Sequence, residues 1–128
     1  MNLILDTCTF LWLALPQGKL SEGAVAALDD PASNLFLSEI SIWEISLKHS
    51  AGKLPLPDSP KKWLPKRLSF FHIKTIPLSL QAIYTSGDLP RNHLDPFDRL
   101  LAAQAIECGM TILSPDTPIS LLGASRIW

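Results

Sequence analysis

The chain reads as an α/β protein, a parallel sheet flanked by helices. Short apolar runs at Asn2–Asp6, 35–37, 73–76 and 110–113 alternate with stretches of helical apolar spacing. That alternation builds parallel sheets through right-handed crossovers. Asn2-Leu3-Ile4-Leu5 carries apolar residues at consecutive positions, as a parallel strand buried on both faces does. With 128 residues, 47% of them hydrophobic and 18% charged, the chain is expected to form one domain over 1–128 with a substantial core. The same composition argues against disorder.

The first strand ends in Asp6, at the carboxyl edge where open α/β sheets place their sites. Asp6 also suits a strand-end acid that only accepts backbone N–H bonds. Thr7 is expected to cap a helix through Phe10, Leu11, Trp12, Leu13 and Leu15, stopped by Pro16 and Gly18. Ser21 opens a second helix, Glu22 to about Asp30, with Val25 and Leu28 expected inward. Pro31 to Asn34 is a turn and Leu35-Phe36-Leu37 a second strand.

Ser38 or Ser41 caps the next helix, which ends near Gly52. Ile40, Trp43, Glu44 and Leu47 share one face of it. This sets Glu44 among residues expected to be buried, where a carboxylate must be paired, hydrogen-bonded, protonated or metal-bound. Lys48, one turn on, is an available partner; a site role is the other reading. Lys53 to Pro60 is a proline-rich loop, and Lys61 to Phe71 a basic helix in which Trp63 and Phe70 are read as core.

Ile73–Ile76 is a third strand. Ser79 caps a helix ended by Gly87, and residues 88–94 form a loop. In the helix that follows, Asp95 suits the N-cap, Pro96 the first helical position and Asp98 the first turn. Phe97, Leu100, Leu101 and Ala105 recur at helical spacing up to Gly109. Two carboxylates thus project from one helix N-terminus, or simply cap and charge it. Met110–Leu113 is a fourth strand, followed by Ser114-Pro115-Asp116. A helical turn over Thr117–Leu122 and an edge strand at Arg126–Trp128 complete the chain.

The net charge of −1 shows no global attraction to nucleic acid. It is unevenly spread, however. Residues 45–75 hold seven bases (Lys48, Lys53, Lys61, Lys62, Lys66, Arg67 and Lys74) against Asp58 alone, a local +6 that leaves −7 elsewhere. Such a segment is either a solvated helix face or a surface for a polyanion. Cys8 and Cys108 are too few and too far apart for a zinc framework. His49, His72 and His93 lack a metal-ligand spacing and are read as surface or satisfied residues. No signal peptide or membrane span is evident, so the cytoplasm is the expected location.

Asp6 and Asp116 fall at strand ends, and Glu44 and Asp98 on helices that begin near the same sheet edge. Four carboxylates converging there would make a hard-cation site suited to Mg²⁺ or Mn²⁺. Such an ion lowers the pKa of a bound water and stabilises charge on a phosphodiester.

Leu5-Asp6-Thr7, Ser41-Ile42-Trp43-Glu44-Ile45 with Gly52-Lys53-Leu54, Leu89-Pro90, and the block from Asp95-Pro96-Phe97-Asp98-Arg99 to Ala105 span most of the chain. In this order they resemble the PIN-domain family, and most of all the VapC-type toxins of prokaryotic toxin–antitoxin pairs. The resemblance implies a five-stranded parallel sheet, a Mg²⁺- or Mn²⁺-dependent endoribonuclease acting on RNA, a homodimer, and inhibition by a cognate antitoxin. An apolar groove around Trp12 or Trp43 could receive an antitoxin helix. The family's acids map onto Asp6, Glu44, Asp98 and Asp116 as metal-binding catalytic residues, with Asp95 as a fifth acid in direct or indirect contact.

Two positions depart from the family pattern. Cys8 stands where histidine is frequent, and Pro115 precedes Asp116, fixing its own φ and restricting Ser114. Rival readings fit less well. A haloacid-dehalogenase-like phosphotransferase needs an acid at position 8, which is Cys8. A receiver-like domain needs adjacent acids near the first strand and a late lysine. A PIN-like module that binds RNA or protein without cutting has no use for Glu44 on an apolar face.

Overall fold

The computed structural model describes residues 1–16 and 18–128. Five strands, β1 (Asn2–Leu5), β2 (Asn34–Ser38), β3 (Ile73–Ile76), β4 (Thr111–Leu113) and β5 (Arg126–Ile127), form one sheet. Its order is β3-β2-β1-β4-β5 and every pair is parallel. The chain builds outward from β1 to β2 and β3, then returns to place β4 on the other side of β1. The order therefore reverses between β1 and β4, and a crevice opens outside their carboxyl ends.

The helices are α1 (Thr7–Ala14), α2 (Glu22–Asp29), α3 (Glu39–Ser50), α4 (Pro60–Phe70), α5 (Leu80–Asp88) and α6 (Pro96–Cys108), with a 3₁₀ turn at Thr117–Leu122. The strand pleat sends alternate residues to two cores. Ile4 and Ile112 pack under Leu101, Ala102 and Ala105 of α6, Ile40 of α3, and Ile119 and Leu122 of the 3₁₀ turn. Leu5, Leu37 and Leu113 pack under Phe10 of α1, Ala24 of α2, Ile45 of α3, and Trp63 and Leu64 of α4. Among the described residues no helix is long and apolar enough to cross a membrane.

Local chemistry sets most boundaries. Ser38, not Ser41, caps α3 by accepting from the Ile40 N–H at 3.1 Å. Asp95 caps α6 by accepting from the Phe97 and Asp98 N–H groups at 2.9 and 3.1 Å, with Pro96 in the first turn. Gly109 closes α6 at φ 64°, a left-handed conformation that a side chain would strain.

Several expectations need correction. The cap of α1 is Asp6, whose carboxylate accepts from the Thr9 N–H at 2.7 Å; Thr7 is already inside the helix. In α2 the buried contact is Ala24, while Val25 faces solvent. Helix α5 passes through Gly87 and ends at Asp88. Trp63 is core as expected, but Phe70 is exposed, flanked by Phe71 and the Arg67 guanidinium.

The connection from α5 to α6 is fixed by a buried cation. Arg99, 8% exposed, donates from Nη1 to the carbonyls of Pro90 and His93, and from Nη2 to those of Ser86 and Leu89, at 2.6–2.9 Å. Four carbonyl dipoles replace the water that a guanidinium loses on burial. Arg99→Met should strand all four acceptors and cost about 3 kcal/mol in urea denaturation. A cost under about 1 kcal/mol would show that the loop does not depend on Arg99.

Candidate active site

Asp6 occupies the crevice between β1 and β4. Its carboxylate is buried, 5% exposed. Oδ1 accepts from the Thr9 N–H at 2.7 Å and Oδ2 from the Ser114 hydroxyl at 2.5 Å. The Thr9 hydroxyl donates to the Leu113 carbonyl at 2.9 Å, so α1 is tied to the end of β4. Ser114 has a second task. Its Oγ accepts from the Asp116 N–H at 3.0 Å, and its carbonyl accepts from Arg126 Nη1 at 2.8 Å. The turn carrying Asp116 is thereby held against both Asp6 and β5.

Glu44 reaches the same crevice from α3. Its Oε1 accepts from the Thr7 hydroxyl at 2.6 Å and its Oε2 from Lys48 Nζ at 2.6 Å. Trp43 and Leu47, expected to share a buried face with Glu44, are exposed. The buried residues of α3 are Ile40, Ser41 and Ile45, and Glu44 stands at the border of that face. Lys48 meets it while its own side chain stays 50% exposed, against 16% for Glu44.

Asp98 enters from the first turn of α6. Its Oδ2 accepts from His93 Nε2 at 2.8 Å. His93 is thus satisfied, as expected, but by a site acid. Asp95, one turn earlier, is exposed and spends Oδ1 on the cap.

Asp6, Glu44, Asp95, Asp98 and Asp116 all line one cavity of about 450 Å³. Pro115 does not remove Asp116 from it. Of the basic segment, Lys48 and Lys53 line this cavity; the other five bases do not. Thr7, Ser114 and His93 carry no site signal in the sequence. Thr7 reads there as a cap, and Ser114 and His93 become informative only once the fold seats them on Asp6 and Asp98.

The electrostatics follow from this crowding. Burial raises the Asp6 carboxyl above its ordinary range, opposed by the Ser114 and Thr9 hydrogen bonds and reinforced by Asp116. Burial also lifts Asp98, to about 6; the His93 hydrogen bond opposes the shift, and Asp95 and Asp116 add to it. Cys8, at the same cavity, is pushed up to about 11 by burial and then by Asp6, Asp116 and Glu44. Its thiol is therefore protonated and a poor nucleophile at neutral pH. Among the described residues, no three His, Cys, Asp or Glu side chains stand close enough to form a ready-made metal cage. What converges is an all-oxygen set of acids whose charges oppose one another, a set that a hard cation would relieve.

A raised carboxyl pKa means that the native state holds its proton more tightly than the unfolded chain. The penalty is absent below the unfolded value near 3.8 and complete above about 6. Metal-free protein should lose stability as pH rises through that window. In urea denaturation at about pH 5 and about pH 7, Asp98→Asn should flatten this dependence by roughly 1–2 kcal/mol. An unchanged slope would refute the assignment of the shift to Asp98.

Comparison with known proteins bears on the fold and the family. No curated protein matches the chain. Among solved structures, VapBC2 from Rickettsia felis bound to a DNA fragment from its promoter superposes with a TM-score of 0.75 at 15% identity, covering 99% of this chain and 98% of that one. VapBC-5 from Mycobacterium tuberculosis, a member of the VapBC family of toxin–antitoxin systems, gives 0.63 at 17%, covering 98% and 95%. The PIN domain endonuclease Utp24 gives 0.51 at 11%, covering 93% and 74%. At these identities the likeness establishes the shared architecture. The family model of the PIN domain matches residues 3–123, nearly the whole chain, and the protein belongs to the PIN domain family.

Proposed function

We propose that the chain is a divalent-metal-dependent endoribonuclease and the toxin of a type II toxin–antitoxin pair. The observation that carries this reading is the gathering of five carboxylates around one cavity at the sheet's switch point, two of them with raised pKa. The architecture it shares with VapBC assemblies and with a PIN domain endonuclease supports it.

The donor set fits Mg²⁺ or Mn²⁺, which take oxygen ligands, better than softer ions. Asp6, Glu44, Asp98 and Asp116 would hold the ion. When bound, it would supply the Lewis acidity that activates water and stabilises charge on a phosphodiester. The chain's own residues prepare that chemistry. Ser114 and Thr9 orient Asp6. Thr7 and Lys48 orient Glu44, and His93 orients Asp98. Lys48 and Lys53 place positive charge where an RNA phosphate enters. Asp95 acts through the α6 cap, positioning Asp98. A homodimer, a cognate antitoxin and a cytoplasmic location belong to the same reading.

Purified protein incubated with a cellular RNA pool should yield discrete fragments with Mg²⁺ or Mn²⁺ and none with EDTA. Asp6→Asn should lower the rate by at least about 100-fold while keeping the native circular dichroism spectrum. Asp95→Asn preserves the cap and should stay within about threefold of wild type, whereas Asp95→Ala should lose about 1 kcal/mol of stability. Full cleavage by Asp6→Asn would overturn the proposal.

A further inference from the structure

A second cleft adjoins the carboxylate cavity. It measures about 190 Å³ and is lined by Glu44, Leu47, Lys48, Ala51, Lys53 and Phe97. Four of these, Glu44, Lys48, Lys53 and Phe97, also line the carboxylate cavity, so the two share a wall. Its floor is apolar and its rim carries two lysines. Trp43 packs on the same Phe97, with ring centroids 5.4 Å apart and planes tilted by 55°. Trp43 is nevertheless 54% exposed, and Leu47, one turn along α3, is 46% exposed. An exposed tryptophan packed on a half-buried phenylalanine beside an ionic site is a surface with an unused apolar face.

We propose that this cleft is a nucleobase subsite. A base of the RNA strand next to the scissile phosphate lies in it against Phe97 and extends over the neighbouring Trp43, and a flanking phosphate meets Lys53 beside the Lys48–Glu44 pair. The inference rests on the nuclease reading above and adds where, and by what chemistry, the strand is gripped. Three features select a base as occupant. The cleft has room for one planar ring system, its walls are aromatic and aliphatic, and its rim, with Glu44 paired to Lys48, keeps the net positive charge of Lys53 toward a phosphate. A protein helix needs a longer apolar stripe, and here Lys48 and Lys53 interrupt it. Stacking on aromatic rings accepts any base, so the subsite sets strand position more than sequence.

The test compares two octamers of equal charge, oligoadenylate and its abasic counterpart, binding to the cleavage-disabled Asp6→Asn protein in Mg²⁺ by fluorescence anisotropy. Oligoadenylate should bind about tenfold or more tightly than the abasic strand. Trp43→Ala in that background should erase most of this difference and leave abasic binding unchanged; Trp43→Phe should retain it. A preference for the base that survives Trp43→Ala overturns the proposal. So does a change in sedimentation with RNA binding unaltered, which would assign the face to a protein partner. Cleavage assays on protein with Asp6 intact keep the two readings apart. Metal-dependent cleavage by wild type, with base preference unchanged in Trp43→Ala, removes the subsite and leaves the nuclease standing. Absence of cleavage by wild type removes both.

Discussion

A carboxylate taken out of water must have its lone pairs filled, and Asp6 satisfies this with groups from two other elements. The Thr9 N–H comes from α1 and the Ser114 hydroxyl from the segment after β4. One side chain therefore caps a helix, locks the central strand to its neighbour, and stands in the crevice where the strand order reverses. Ser114 passes the constraint on by holding the Asp116 N–H, and Arg126 holds the Ser114 carbonyl. The same bonds that stabilise the fold orient two acids of the proposed site.

The site has a built-in conflict. Burial raises the cost of ionising Asp6 and Asp98, Asp116 adds to it at both, and Asp95 adds to it at Asp98. Internal donors moderate it, with Lys48 on Glu44 and His93 on Asp98. Arg99 supports this indirectly by clamping the segment that carries His93 while lying next to Asp98 in the chain. Charges held in opposition by a rigid scaffold suit a function that brings a cation, since the reorganisation is largely done in advance. They would be a poor choice for stability alone.

The strands and most helix boundaries were legible in the sequence because their causes are local. Leu3-Ile4-Leu5, the Asp95-Pro96 start and Gly109 each carry their own signal. The candidate acids were legible for the same reason, since Asp6 follows a strand and Asp98 sits in a first turn. What could not be read depends on contacts far apart in the chain. Ser114 meets Asp6 across 108 positions. Periodicity identified a face holding Trp43, Glu44 and Leu47, but it cannot say whether anything covers that face. Helix α2 shows the same limit in miniature, where Ala24 rather than Val25 turns inward. Arg99 belongs to the Asp95-Pro96-Phe97-Asp98-Arg99 block, yet its role as a clamp appears only when Ser86, Leu89, Pro90 and His93 fold around it.

The central claim is that these carboxylates form one divalent-cation site, and calorimetric titration of the metal-free protein with Mn²⁺ tests it most directly. Saturable binding should be seen in wild type and should weaken about tenfold or more in both Asp6→Asn and Asp98→Asn, one acid from each side of the crevice. Binding that is absent in wild type, or equally strong in both variants, would contradict the account.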